Sequence, residues 1–190
     1  MKILLIDNYD SFTYNLLHYL EECNDDEVVV WRNDEIDFNA IGQFNAVVIS
    51  PGPGKPKEAG QLMKFIASLD VKVPVLAVCL GMQAYALHSD GSIYNLEYIL
   101  HGRSVQCEVN TGSPLFQGLP ETIEVGLYHS WAVDSVGKEW RIIAKSSKGV
   151  LMGIQHKERP IYAVQFHPES VLTPYGRKMV QNFLKYCCTF

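Results

Sequence analysis

The sequence predicts an α/β fold: an open, mostly parallel central sheet with helices on both faces and a small additional antiparallel layer. Three observations carry this reading. Short aliphatic runs alternate with longer stretches of helical character through the first half of the chain. Those runs show no polar alternation, the mark of strands covered on both faces. The second half is rich in strand-like runs separated by polar turns, which could extend the main sheet or form an antiparallel layer beside it.

The elements follow in order. KILLI (2–6) is a first buried strand, and SFTYNLLHYLEE (11–22) after it reads as a helix. EVVVWR (27–32) and NAVVIS (45–50) are β-branched strands, EAGQLMKFIASL (58–69) is helical, and PVLAV (74–78) is a fourth strand leading into the helix LGMQAYALH (80–88). SVQCEV (104–109), TIEVGLY (122–128), RIIAK (141–145), VLMGIQH (150–156) and IYAVQF (161–166) supply the later strands. A last helix runs from about Tyr175 to Tyr186, with Met179, Val180, Phe183 and Leu184 on one face. Thr173 is placed to cap it, and Pro174 suits a first helical position. No repeat, low-complexity tract or long linker divides the chain, so residues 1–190 are expected to form one domain.

Composition narrows the function classes. Of 190 residues, 47% are hydrophobic and 19% charged, which is ordinary for a soluble domain with a sizeable core. The net charge of −5, without a Lys/Arg run, gives no footprint for nucleic acid or an anionic membrane. No apolar segment reaches membrane-spanning length, and KILLI lacks the anatomy of a signal peptide. Five cysteines in no framework spacing point to a reducing compartment, hence the cytoplasm. Neither they nor the six histidines show metal-ligand spacing.

Ligands of open α/β sheets bind outside the carboxyl ends of the strands, and DNYDS (7–11), SPGPG (50–54) and Cys79 all fall there. Cys79 lies between a buried strand and a helix, in A-V-C-L-G. A nucleophile on such a turn needs small neighbours, which Ala77 and Gly81 provide, and a helix start favours a thiolate. A cysteine in an apolar run is ordinarily structural, so the turn alone does not decide. In YAVQFHPESV (162–171), His167 and Glu169 flank a proline that ends the strand, and the carboxylate can orient the imidazole. Together they make Cys79, His167 and Glu169 the better account. SPGPG fixes an unusual backbone course, so that a glycine N–H and the N–H of Leu80 can form an oxyanion hole; as a phosphate loop it lacks the Lys-Ser/Thr ending. Gln83 stands one helical turn beyond Cys79, on the same face. LYHSW (127–131) is another polar cluster; its His129 is second choice as base, because no carboxylate lies near it in sequence.

Taken together, DNYDSFTYNL (7–16), SPGPG (50–54), VCLGMQA (78–84), HGRS (101–104), YHSW (128–131) and QFHPES (165–170) resemble the class I glutamine amidotransferases, most closely the glutaminase subunits of anthranilate and aminodeoxychorismate synthases. The resemblance implies a Cys79–His167–Glu169 triad and an oxyanion hole from Gly52 and Leu80. It implies contacts to L-glutamine from Gly52, Pro53, Gly54, Gln83, Ser130 and Trp131. It also implies a chorismate-using synthase subunit as partner, with no cofactor in this chain and magnesium left to that partner. Ala77 and Met82 stand where the family usually has glycine and histidine, and Trp131 where it more often has leucine. Residues 88–99 match it poorly, and an irregular helix end is expected there. Two other readings of the residues are a cysteine hydrolase acting alone on γ-glutamyl or peptide substrates, and a non-catalytic binding subunit.

Overall fold

The structure, a computed structural model, describes residues 1–23 and 27–188, without the side chains of 98–100 and 187. The first half alternates strand and helix: β1 (Ile3–Asp7), α1 (Thr13–Cys23), β2 (Val28–Arg32), β3 (Ala46–Ile49), α2 (Leu62–Ser68), β4 (Val75–Val78) and α3 (Leu80–His88). The second half is a run of strands: β5 (Ser92–Val109), β6 (Thr122–Ser135), β7 (Trp140–Ser146), β8 (Leu151–His156) and β9 (Ile161–Val164). It closes with α4 (Gly176–Asn182), which passes into a π turn at Phe183–Cys187.

The nine strands of the described residues join one sheet in the order β2-β1-β3-β4-β9-β8-β7-β5-β6. The side from β2 to β9 is parallel, and β9-β8-β7-β5-β6 is antiparallel throughout. Of the two placements open for the later strands, the hydrogen bonding supports the first: the antiparallel part continues the main sheet.

Alternate residues of the parallel strands enter two cores, as a period of two requires. Ile3, Leu5, Val48, Leu76, Val78 and Val164 pack with Leu16 and Leu20 of α1 and Met179 and Val180 of α4. Leu4, Ile6, Val47, Ile49, Ala77 and Ala163 pack on the other face with Leu62, Phe65 and Ile66 of α2 and Met82 and Tyr85 of α3. Helices therefore cover both faces. Among the described residues no helix is long and apolar enough to cross a membrane.

Two details add to the sequence reading or depart from it. In residues 88–99, where an irregular helix end is expected, that end is short and a strand follows it: α3 ends at His88, the chain turns through Asp90 (φ 56°) and Gly91, and β5 begins at Ser92. A Cβ on Gly91 would come within 2.3 Å of the Ser135 carbonyl oxygen, so glycine is required for this close crossing. Thr173 does not cap α4 with its side chain. Its hydroxyl donates to the His167 carbonyl at 2.6 Å and accepts the Gly126 N–H at 2.9 Å, and α4 starts after Tyr175 without a side-chain cap.

The insertion of β9 beside β4 positions the site. Ala77 and Val78 register with Ala163 and Val164, and the Cys79 N–H donates to the Val164 carbonyl at 2.7 Å. The carboxyl ends of two strands far apart in sequence thus become neighbours.

Candidate active site

Cys79 occupies a strained turn. Its φ of 51° and ψ of −100° are unusual for a residue with a Cβ, and it is held between β4 and α3 by the bonds from its own N–H and to its carbonyl from the Gln83 N–H at 3.1 Å. The turn admits only small neighbours. A Cβ on Gly81 would lie 3.0 Å from Ile49 Cγ2 and 3.1 Å from the Ala77 methyl, so Ala77 fits as long as residue 81 is glycine. Met82, just beyond, is fully buried in the α2–α3 core and faces no substrate space.

The loop after β3 is drawn onto this turn. A Cβ on Gly52 would come within 2.6 Å of both Leu80 Cδ2 and Asn8 Cβ, so the absence of a side chain lets the backbone approach the start of α3. Asn8 holds the loop: its N–H donates to Ser50 Oγ at 2.9 Å, and its Nδ2 donates to the Ser50 carbonyl at 2.8 Å. Leu80 opens α3, so its N–H belongs to the first turn, where no i−4 carbonyl exists to accept it.

His167 and Glu169 lie behind the cysteine, almost wholly buried. His167 Nδ1 is 2.7 Å from Glu169 Oε1. Phe12 and Tyr128 enclose the imidazole, with ring centroids 5.5 and 4.9 Å from it. Nε2, the other ring nitrogen, is buried without a hydrogen-bond partner. Burial by itself would lower the imidazole pKa, but interaction with Cys79 and then Glu169 overrides it and raises the value to about 10. Burial pushes the Glu169 carboxyl upward, and the hydrogen bond to His167 opposes this; the paired, charged form is favoured when the imidazole holds its proton.

The corner that presents this pair depends on other elements. The His167 N–H donates to the Gly126 carbonyl at 3.1 Å. A Cβ on Gly176 would fall 1.6 Å from the Pro168 carbonyl oxygen, so α4 can begin there only with glycine.

Cys79 opens on a cavity of about 220 Å³, lined also by Gly52, Pro53, Gly54, Gln83, Ser130 and Trp131, with His101, Tyr128 and His129 completing the wall. Of the contacts expected from sequence, only Leu80 does not line it; its side chain packs under Gly52 instead. His101, Tyr128 and His129 sit in quoted motifs, but their common wall comes from the β5–β6 register, which pairs His101 with Tyr128. His129 is no rival base: burial lowers its pKa to about 4, and its Nδ1–H donates to the Trp131 carbonyl at 2.8 Å. Lys55 Nζ stacks 4.7 Å from the centre of the Trp131 ring, joining the loop after β3 to β6.

A larger cavity of about 800 Å³ lies at the opposite, amino ends of β4 and β9, between Val71, Lys72, His156, Glu158, Arg159 and Pro160. It is lined by no cysteine, serine or threonine, and His156 Nδ1 there is engaged by the N–H groups of Glu158 and Arg159. Among the described residues no cluster of three or more His, Cys, Asp or Glu is placed to hold a metal ion.

Comparison with known proteins shows the family and the fold. Residues 4–187 match the family model "Glutamine amidotransferase class-I". The chain is 40% identical to the "Aminodeoxychorismate/anthranilate synthase component 2" of Bacillus subtilis, over 96% of this chain and 95% of that protein. It is 44% identical to the "Bifunctional protein TrpGD" of Thermotoga maritima, covering 96% of this chain but spanning only 32% of that longer protein. Among solved structures, a glutamine amidotransferase of Thermotoga maritima superposes with a TM-score of 0.82 over 100% of this chain and 99% of its own, at 15% identity, which is a likeness of fold.

Proposed function

The chain belongs to the class-I glutamine amidotransferases, and we propose that it hydrolyses L-glutamine to glutamate and ammonia, which a partner synthase uses to aminate chorismate. One observation carries this reading. A cysteine on a strained strand–helix turn opens on a small cavity and is backed by a buried histidine–carboxylate pair.

In the proposed cycle the Cys79 thiolate attacks the side-chain amide carbon of glutamine, forming the C–S bond while the carbonyl π electrons move to oxygen. The N–H groups of Gly52 and Leu80 stabilise that oxyanion. His167, raised to about 10 and so protonated at neutral pH, gives its Nε2 proton to the amide nitrogen. The C–N bond breaks and ammonia leaves a γ-glutamyl thioester. Neutral His167 then takes a proton from water as the water adds to the thioester, and glutamate departs with return of the thiolate and imidazolium. Throughout, Glu169 accepts from Nδ1–H and fixes the ring. Both Gln83 N–H bonds are used within the protein, so its remaining acceptor oxygen is the atom left for a donor of the substrate.

Relatives named as component 2 support a separate partner, the chorismate-using synthase subunit. The chain would act as one domain over 1–190, in the cytoplasm and without a cofactor of its own, the magnesium of the synthase reaction belonging to the partner. The test is Cys79→Ser in the complex with that synthase. Glutamine-driven amination should fall at least roughly a thousandfold, because a serine hydroxyl is scarcely ionised. Amination from added ammonium should persist. Equal loss of both rates in an intact complex would overturn the reading.

A further inference from the structure

Gln165 opens the QFHPES motif but was given no role there, and it lies outside the lining of the cavity. It is fully buried, and its Nε2 lies 3.4 Å from Cys79 Sγ. Its Oε1 faces Gln83 Nε2 at 3.3 Å, and Gln83 Nε2 in turn lies 2.8 Å from the Trp131 carbonyl oxygen.

Which end of each amide faces where follows from chemistry. The Trp131 carbonyl can only accept, so Gln83 must turn its NH₂ toward it. That NH₂ is also what Gln165 meets, so Gln165 must present its oxygen there. Its own NH₂ is then left facing the sulfur. The reverse orientation would set two donors against each other at Gln83 and a carbonyl oxygen against a thiolate. The relay begins at a main-chain carbonyl, so it does not depend on the identity of the side chain at 131.

We propose that Gln165 is a positioning residue for the nucleophile, its amide N–H holding the Cys79 sulfur in place and favouring thiolate over thiol. This inference rests on the glutaminase reading for its consequence in catalysis, but the contact with the sulfur stands apart from it. A hydrogen bond to a charged acceptor is stronger than one to a neutral group, so the amide discriminates between the two forms of the sulfur. His167 supplies the counter-charge, and Gln165 supplies a fixed neutral donor from the same strand end. Two groups then define the sulfur's position where one would leave it free to swing with the imidazole. The Gln165 main chain is itself anchored, its N–H donating to the Met152 carbonyl at 2.9 Å.

The test compares wild type, Gln165→Met and Gln165→Glu. Met keeps the bulk and removes the donor; Glu keeps the shape and replaces the donor with an acceptor. The rate of Cys79 alkylation by iodoacetamide is followed by peptide mapping from about pH 5 to about pH 9, with melting temperature as the check on folding. In Gln165→Met the profile should move toward higher pH, with alkylation near pH 6 slowed roughly tenfold and the wild-type rate regained at high pH. Gln165→Glu should move further in the same direction. With the synthase present, kcat for glutamine should fall while KM stays near the wild-type value. A profile that coincides with wild type would overturn the proposal, as would one slowed equally at all pH values. Should Gln165→Met fail to fold, Gln165→Glu alone decides by the same profile. The alkylation readout needs no glutamine, so a shifted profile in a protein without glutaminase activity would refute the glutaminase reading and leave the contact standing.

Discussion

Cys79 and Cys107 are both buried thiols, but their surroundings differ. Cys107 lies on β5 in the core between sheet and helices, where burial, with a smaller contribution from the Glu108 charge, pushes its pKa up to about 12. Cys79 has the Gln165 amide 3.4 Å from its sulfur, a helix start under it and a cavity before it. Brief treatment with iodoacetamide near neutral pH, followed by peptide mapping, should therefore label Cys79 at least roughly a hundredfold faster than Cys107. Equal labelling would mean that Cys79 is only another core thiol. At this scale Cys79, His167 and Glu169 were legible because each stands at a break between elements that a proline, a glycine or a change of period marks in the sequence. Gln165 was not. It is one polar residue in an apolar strand, and its meaning depends on β9 lying beside β4, a neighbour relation that local pattern does not carry.

At the scale of elements, α4 is tied to the site through a contact no periodicity reports. Its first residue, Gly176, backs onto Pro168, the residue between His167 and Glu169. Gly176→Ala must push either α4 or the corner aside, and overpacking of this kind destabilises by about 3 kcal/mol. If the corner yields, His167 moves with it, and glutamine-driven activity should fall more than the lost stability explains. Melting temperature and kcat measured on the same preparation check this; a variant that melts and turns over like wild type would show that the contact is slack. The helix itself was readable from the spacing of Met179, Val180 and Phe183, but the sequence placed Thr173 as its cap. Thr173 instead bridges His167 and Gly126, a use that requires β6 to run beneath the corner. The start of β5 was unreadable for a similar reason: Ser92 to Asn95 find their strand partner in β6, from Ser135 to Trp131.

For the whole molecule, the parallel half of the sheet was legible because fully buried strands are apolar throughout, while the antiparallel half could be seen as strands but not placed. Joining the halves through β9 buries two histidines on opposite terms, and this sets how stability depends on pH. His129 is pushed down to about 4, by burial first and then by the charges of His167 and His101, against its bond to the Trp131 carbonyl. Between its unfolded value, about 6.5, and 4 the unfolded chain binds a proton that the fold refuses, so stability falls as the solution is acidified. His167 is raised to about 10 through Cys79 and Glu169, against the effect of burial. Above about 6.5 the fold keeps a proton that the unfolded chain releases, so this contribution is complete below that value and is lost as pH rises toward 10. The two limbs meet close to neutrality, where the melting temperature should be highest. His129→Gln separates them. Glutamine can still donate to the Trp131 carbonyl but does not titrate, so the variant's melting temperature should fall less than that of wild type between about pH 6.5 and about pH 4. Its alkaline limb, which belongs to His167, should be unchanged. Parallel acid limbs in the two proteins would show that His129 is not the group the fold holds neutral.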